Sequence, residues 1–554
     1  MRSYILAILL NLLMMPLCGA QAGQSAIITA EGDQIYCPLS DIPIVTNFDI
    51  TDPVGFEVEA LYIQISSGYQ IGIEALNLTG NHPNVVDSWN VSEGRLTLSG
   101  VGGANVSYND IIAAVYDVVY TSYTVEVSGE KVFSFSFGEG FYLPATGHHY
   151  LYVSAPGISW SDARNAAETY TYLGIQGYLA TITTPEEAQF TGQQVSGTGW
   201  IGGTDQESEG VWKWVTGPEA GTVFWNGQID GSSPNYANWN DGEPNNCCGG
   251  EDYAHITAPG VGIDGTWNDL DNLGNPDPNN DYHPKGFVVE FGGMPGDPDL
   301  TEVSGSTKIT IPEVINTTND SVCDSGSMTL SAQASLGSIV WFDVEVGGTP
   351  IAFGNVYTTP VLNTSTTYYA IAAQDGCLDG FRVPVEAIVY QIPEIITSVE
   401  LQNCDYDQVM DGVTLFNLTE ANEFISPNDF NSLDFSYHFS ENDAISNSNP
   451  IDPNGYSNAL SSQLFVRVQN SDGCYAIATL ELSVSTTQIP QDFLVTMEQC
   501  DADSIYDGFG NFDLTQATPD ILALFPSNQD LTVYYYRTLD DAALEENIIM
   551  REIH

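Results

Sequence analysis

The chain has 554 residues, 43% of them hydrophobic, and sets 72 aspartates and glutamates against 11 lysines and arginines, a formal net charge of -61 at pH 7. That length gives several domains room for cores of their own. A surface so acidic repels nucleic acid and anionic membranes and attracts divalent cations, which excludes nucleic acid as a partner.

The N-terminus reads as a secretory signal over residues 1–20: Arg2, an apolar run from Tyr4 to Leu17, then small residues suited to cleavage after Ala20 or Ala22. Leu17 is too large to precede a lipid-modified cysteine, so Cys18 is expected to leave with the signal. No later run approaches the roughly 20 apolar residues of a membrane helix. The expectation is a secreted or cell-surface protein with no transmembrane segment in the mature chain. Over residues 21–145, segments such as ALYIQI from Ala60 and VFSFSF from Val132 alternate apolar with polar residues between clusters of Gly, Asn, Asp and Pro. Period two with frequent turns predicts an antiparallel sandwich. GRLTLSG from Gly94 resembles a strand of cadherin-like modules. Asp49, Asp52 and Asp110 read either as calcium ligands between modules or as a solvated face.

Residues 146–293 read as an α+β domain. Ser159 stands as N-cap before Trp160, Ala163, Ala166, Ala167 and Tyr170, which fall at helical spacing. A second helix begins after Thr184, with Pro185 in its first position and Glu187 placed to complete a capping box. The adjacent His148 and His149, ahead of the first helix, are expected at the surface. Residues 200–269 then hold WIGGTDQESEG, WNDGEPNNCCGGEDYAHI and GTWND. Calcium is a hard cation that takes about six to eight oxygens. Glu243, Asn245, Glu251, Asn268 and Asp269 supply such oxygens from two turn-rich segments. Acid beside amide also suits a polyol, because a sugar hydroxyl donates to a carboxylate and accepts from an amide.

At these residues the sequence resembles the C-type lectin domain: WIGG at 200–203 looks like its core signature, and Glu243-Pro244-Asn245 with Trp267-Asn268-Asp269 like its two calcium motifs. The resemblance implies a principal calcium on Glu243, Asn245, Glu251, Asn268 and Asp269, a cis bond before Pro244, and a preference for mannose-type sugars. It further implies an auxiliary calcium on Asp205, Glu209, Asn246, Glu251 and Asp252, with Asn246 standing where an acid is more usual. One departure matters. Ala167, Tyr253, Asn272 and Val289 occupy positions where the family usually carries two disulfides, so the long loop is expected to depend on metal and packing.

The Asp- and Pro-rich stretch 269–284 reads either as a rim of the sugar site or as a mere insertion, and 294–308 as a linker. Over 309–392, Cys323, Trp341 and Cys377 among short strands suggest an immunoglobulin-like sandwich with its two sheets bridged. GGTPIAFG and TTYYA there resemble Ig-like repeats of multidomain bacterial surface proteins. A β-rich repeat follows, copy one at 393–486 and an incomplete copy two at 487–554. Cys404-Asp405-Tyr406-Asp407 with Asp411-Gly412 returns as Cys500-Asp501-Ala502-Asp503 with Asp507-Gly508, spaced too widely for an EF-hand. Cys404 is expected to bridge Cys474. Cys247 and Cys248 read as a vicinal disulfide or as two thiols. The array resembles cargo of type IX secretion.

The leading expectation is a calcium-dependent carbohydrate-binding adhesin whose partners are glycans or glycoconjugates. The alternative is a protein-binding or structural surface module in which calcium only orders the loop. Catalysis is not expected: no Ser-His-Asp order, nucleophile elbow or phosphate loop is present, and the acids are better accounted for as metal ligands than as a glycosidase pair.

Overall fold

The alternating N-terminal segments become β1 (Ile27–Glu31), β2 (Asp33–Ile35), β3 (Asp41–Pro43), β4 (Asn47–Thr51), β5 (Ala60–Ser67), β6 (Glu74–Leu78), β7 (Val85–Asn90), β8 (Arg95–Gly100), β9 (Val118–Ser122) and β10 (Gly129–Phe137), with α1 (Tyr108–Val115) between β8 and β9. This is a computed structural model, and it describes residues 26–553 apart from 54, 139, 196, 248–249, 258–264, 298–303, 375, 406–410, 486–488, 491, 501–509 and 526–530. The expected signal peptide, Cys248 and most of the acidic repeat motif (406–410, 501–509) lie outside the described residues. The chain is multidomain and mostly β, in two units. One comprises Met1–Thr317, Ser331–Tyr357 and Tyr368–Pro384, the other Thr318–Leu330, Thr358–Thr367 and Val385–His554.

The lectin-like part of the first unit runs β11 (Phe141–Leu143), β12 (His148–Ser154), α2 (Trp160–Ala167), β13 (Ile175–Leu179), α3 (Pro185–Gln194), β14 (Gly199–Thr204), β15 (Val211–Trp214), β16 (Val223–Asn226), β17 (Tyr253–Ile256), β18 (Trp267–Leu270) and β19 (Gly286–Phe291). Both helices start as expected. The Ser159 hydroxyl accepts from Asp162 N at 3.1 Å and the Thr184 hydroxyl from Glu187 N at 3.2 Å. The Glu187 carboxylate, however, does not close a capping box on Thr184. It accepts from Thr183 N at 2.7 Å and Thr183 Oγ1 at 2.8 Å instead. β19 lies between β12 and β14, antiparallel to the first and parallel to the second. Trp200, Trp212, Trp214 and Trp267 are almost completely buried, and such rings dominate a core's apolar area.

The strand after this domain, β20 (Gly305–Ile311), returns to the N-terminal sandwich: it pairs antiparallel with β10 and parallel with β2. The larger sheet therefore reads β2-β20-β10-β5-β8-β7. Ile309 and Ile311 join Leu61, Ile63, Phe133 and Phe135 in its core. β20 thus takes up the last four residues of the stretch expected as a linker, 294–308, and the first three of the stretch expected as Ig-like from 309. The lectin-like domain is an insertion between two hydrogen-bonded strands of its host, entering after β10 and leaving before β20. GSTKITI carries the period-two alternation that marks a strand, and Gly and Pro just upstream masked it.

His148 and His149, expected at the surface, lie in β12. His149 is fully buried between the rings of Tyr142 and Tyr172, at 5.0 and 4.6 Å, and that burial pushes its pKa down to about 3.

The Ig-like stretch holds β21 (Asp320–Cys323), β22 (Ser338–Phe342), β23 (Thr366–Ala373) and β24 (Val383–Tyr390), with β22 antiparallel to β23 and β21 parallel to β24. Trp341 is buried and donates Nε1 to Gly354 O at 2.8 Å. The second unit continues with β25 (Ser398–Cys404), α4 (Glu441–Ser446), β26 (Gln463–Gln469), β27 (Tyr475–Ser485) and α5 (Leu539–Leu544). The repeat is visible in its turns. Ser440 caps α4 and Asp443 accepts from Asn449 at 2.9 Å; Thr538 caps α5 and Asp541 accepts from Asn547 at 2.7 Å.

The cysteine pairing differs from expectation. Cys37 bonds Cys377 within the first unit, and Cys323 bonds Cys474 within the second, each with Cα atoms 5.6 Å apart. Cys323 sits at the exposed end of β21 and Cys377 in the turn beyond β23, and the bridge expected between them is not formed. Cys404 aligns with Ser485 at one end of β27, whereas Cys474 immediately precedes Tyr475 at the other. The strand between those ends is 11 residues long, about 33 Å, far beyond disulfide reach. Cys404 and Cys500 are exposed and unbridged.

Candidate functional site

β17 and β18 pair antiparallel, His255 against Asn268 and Ala254 against Asp269, which fixes the second half of the candidate set on a buried strand. Asn268 and Asp269 are only 2% and 3% exposed. The first half arrives on a turn held to that strand: Trp267 N donates to Asn238 O at 2.8 Å, and Asn240 N to Trp267 O at 2.8 Å. The Glu243-Pro244 bond is cis.

The two halves meet. Asn268 Nδ2 donates to Glu243 Oε1 at 2.9 Å and Asn245 Nδ2 to Glu243 Oε2 at 2.5 Å. Asp269 accepts from Asn245 N at 3.1 Å and Asn246 N at 2.8 Å. Burial, then a hydrogen bond and the charge of Asp269, then the charge of Glu251, push Glu243 up to about 8. Burial and the charges of Asp269 and Asp271 push Glu251 up to about 7, against a hydrogen bond from the Cys247 backbone. These carboxylates repel one another, and the sequence from Trp214 to Pro284 holds no lysine or arginine to offset them.

The other predicted set lies alongside. Asp205 Oδ2 accepts from Gly210 N at 2.8 Å, and Glu209 Oε1 accepts from Asn246 Nδ2 at 2.6 Å and Gln228 Nε2 at 2.8 Å. Asn246, at φ 45°, turns its Oδ1 to Gly250 N at 2.8 Å and Glu251 N at 3.1 Å, so its oxygen is engaged with backbone. Burial pushes Asp205 up to about 6, with Glu209, Asp252 and Asp269 adding to it; Asp252 is raised by burial and by Glu209 and Asp269.

Calcium is tested here by two orphaned acceptors. Asn268 Oδ1 and Asp205 Oδ1 are buried oxygens with no hydrogen-bond partner, one in each set, and such atoms are costly unless something binds them. Among the described residues, no three His, Cys, Asp or Glu side chains are gathered closely enough to hold a metal by themselves. The principal set mixes three acids with two amides, so its donors fit a hard, oxygen-preferring cation and not a zinc-like one.

Where family members usually have disulfides, this chain packs. Ala167 and Val289 are both fully buried in one cluster with Trp160, Leu179 and Trp200. Tyr253 lies on Trp160 at 4.6 Å, and Asn272 takes Trp160 N on its carbonyl at 2.9 Å and Ser161 N on its Oδ1 at 3.0 Å. Sequence reasoning missed two participants, Gln228 and Asp271. Asp271 was legible as the acid two places beyond Asp269 in WNDLD, whereas Gln228 had no local signal.

Residues 158–271 match the Lectin C-type domain family. The chain carries a C-type lectin domain. Residues 310–390 match the Ig-like domain, CHU_C associated, and 400–490 and 496–553 the Flavobacterium inter-domain disulphide bond domain. The Cys323–Cys474 bond, which joins the second and third of these regions, accords with that last description. Halomucin of Haloquadratum walsbyi is 33% identical over 322 residues, 53% of this chain and 3% of halomucin. A perlucin-like protein of Mytilus galloprovincialis is 29% identical over 125 residues, 22% of this chain and 66% of that protein. Both matches span less than two thirds of the relative. The crystal structure of the C-type lectin CEL-I from Cucumaria echinata is similar at 20% identity over 27% of this chain and 92% of that one, TM-score 0.20. No helix among the described residues is long and apolar enough to cross a membrane.

Proposed function

We propose that the inserted lectin domain binds carbohydrate through calcium held by Glu243, Asn245, Glu251, Asn268 and Asp269, with mannose-type sugars preferred, in a secreted or cell-surface adhesin-like protein. The observation that carries the reading is the Asn245–Glu243–Asn268 arrangement, with one carboxylate bonded by two amides beside a buried, unpaired Asn268 oxygen. Bound calcium would neutralise the clustered acids and polarise sugar hydroxyls. The protein's own side chains do the rest: each carboxylate–amide pair can take a hydroxyl proton on oxygen and give an N–H to the same hydroxyl oxygen. Two such pairs on one carboxylate suit two neighbouring hydroxyls, and the order of acid and amide around them is how the site would read a sugar's configuration. Asp205, Glu209, Asn246, Glu251 and Asp252 are proposed as an auxiliary calcium site, weakened by the engagement of Asn246 Oδ1 with backbone. A single site of this kind binds weakly, and display of many copies on a surface would raise avidity.

The test is a glycan array probed with the full chain in calcium and in EDTA, beside the paired variant Glu243→Gln, Asn245→Asp. Binding to mannose-type glycans that EDTA abolishes, and that the paired variant redirects to galactose-type glycans, is the expected result. Silence on the array from a chain that calcium still stabilises would overturn sugar recognition and leave calcium ordering the loop for a protein partner.

A further inference from the structure

Besides the loop acids, the lectin domain buries two more carboxylates. Glu187 on α3 and Glu290 on β19 are 2% and 1% exposed, and Tyr150 of β12, fully buried, stands between them. Its hydroxyl is 2.6 Å from Glu187 Oε1 and 3.4 Å from Glu290 Oε1. His148 Nδ1, on a side chain that still reaches solvent, is 2.6 Å from the same Glu290 oxygen. The remaining carboxylate oxygens accept from Thr183 and Thr181, the latter also bonded to Glu219 at 2.7 Å.

A phenol has one proton and cannot serve both acids. If Glu187 carries a proton it donates to Tyr150, Tyr150 donates to Glu290, and Glu290 pairs with a charged His148; the cluster is then neutral overall. Without those protons, two carboxylates share one phenol and face Glu219, with no buried cation. The other titratable groups nearby do not relieve this. Tyr178 lies against Glu290 and gives its proton to Gly292 O, His149 is held neutral between two rings, and Glu186 and Tyr236 flank Glu187 without a positive charge. The position matters too. β12 and β19 pair antiparallel near the entrance and exit of the inserted domain, and His149 bonds Ser304 just ahead of β20 at 3.1 Å.

We propose that Glu187, Tyr150, Glu290 and His148 form a proton-linked clamp at the root of the inserted domain, which holds two protons at mildly acidic pH and loosens as they leave above neutrality. Burial followed by the charge of Glu290 raises Glu187 to about 7; burial lowers His148, but the hydrogen bond and charge of Glu290 together with the charges of Glu187 and Glu219 raise it on balance, so both changes run in the same direction. Folded pKa values above the unfolded ones mean that the added stability is present at low pH and is lost as pH rises through the folded values.

Thermal unfolding of the full chain in EDTA, followed by near-ultraviolet circular dichroism from pH 5 to 8, compares wild type with Glu187→Gln. The loop acids titrate alike in both, so the difference between the two profiles belongs to the clamp. Glu187→Gln copies the protonated acid, and its Tm is expected to match wild type at pH 5 and exceed it at pH 8 by on the order of 5 °C. Tyr150→Phe is expected to lose more at pH 8 than at pH 5. Parallel profiles for wild type and Glu187→Gln, or an equal loss at both pH values for Tyr150→Phe, would overturn the clamp.

Discussion

The host sandwich and the domain inserted in it both bury carboxylates, and they complete them differently. In the host, Glu74 is 1% exposed. Its oxygens take Lys131 Nζ at 3.3 Å, Gln70 N at 2.5 Å and the Tyr120 hydroxyl. Lys131 is as deeply buried, and its charge is matched within the chain. In the lectin loop, Glu243, Glu251 and Asp269 gather without a lysine or arginine, their neighbours are amides, and an acceptor oxygen is left over. A chain with 11 basic residues places one of them deep in a structural core and none between Trp214 and Pro284, which is why an outside cation is proposed for the loop.

The largest expected effect breaks the finished side of that comparison. Lys131→Met leaves the buried Glu74 carboxylate without its cation, held only by Gln70 N and the Tyr120 hydroxyl, and should cost about 3–5 kcal/mol in urea unfolding of the full chain. Lys131→Met with Glu74→Leu should recover most of it, because removing both charges removes the penalty. Since β20 closes the host sheet only after the lectin domain has been traversed, the loss should register in host and insert together. Independent transitions would contradict the insertion.

On the unfinished side, added calcium should stabilise the lectin domain by about 2.7 kcal/mol at a concentration of one hundred times its dissociation constant. Glu243→Gln should abolish that gain while costing little in EDTA, the reverse of the outcome at Lys131. The pH dependence follows. Glu243 at about 8 and Glu251 at about 7 lie above their unfolded values, so without calcium their contribution favours folding at low pH and is lost as pH rises through 7 and 8. Both groups are only half-buried, and solvent screening keeps the effect smaller than burial alone would give. Calcium requires the ionised acids, so its stabilisation should grow over that same interval. Melting curves at pH 5.5 and 8.5, each with calcium and with EDTA, would test both signs.

How far the sequence revealed this depended on whether the signal was local. The N-caps at Ser159 and Thr184, the paired motifs around Glu243 and Asn268, and Trp341 of the Ig-like stretch are short patterns whose physical reasons lie within a few residues. The return of β20 to the host and the Cys37–Cys377 bond involve partners far away in sequence, 340 positions for the cysteines, and no local pattern encodes them. The cysteine error has the same cause. Cys404 and Cys474 are the pair within one repeat, but strand register puts them at opposite ends of β27, and register is a property of the sheet. Glu187 looked like a capping residue because its spacing from Thr184 is right. Tertiary contact with Tyr150 took its side chain elsewhere.

The smallest expected effect asks what stands in for a missing disulfide. Asn272 holds the start of α2 through its carbonyl, which any residue retains, and through its Oδ1, which accepts from Ser161 N at 3.0 Å in an exposed setting. Asn272→Ala therefore removes one hydrogen bond, worth about 1 kcal/mol net, and water can take over the freed Ser161 N–H. None of the proposed ligands bonds Asn272, so the calcium-induced rise in Tm should be unchanged while both melting curves move down together. If the calcium response fell as well, the tie between Asn272 and the helix would be holding the loop acids in place, and the loop's fold and its metal site could no longer be treated as separate.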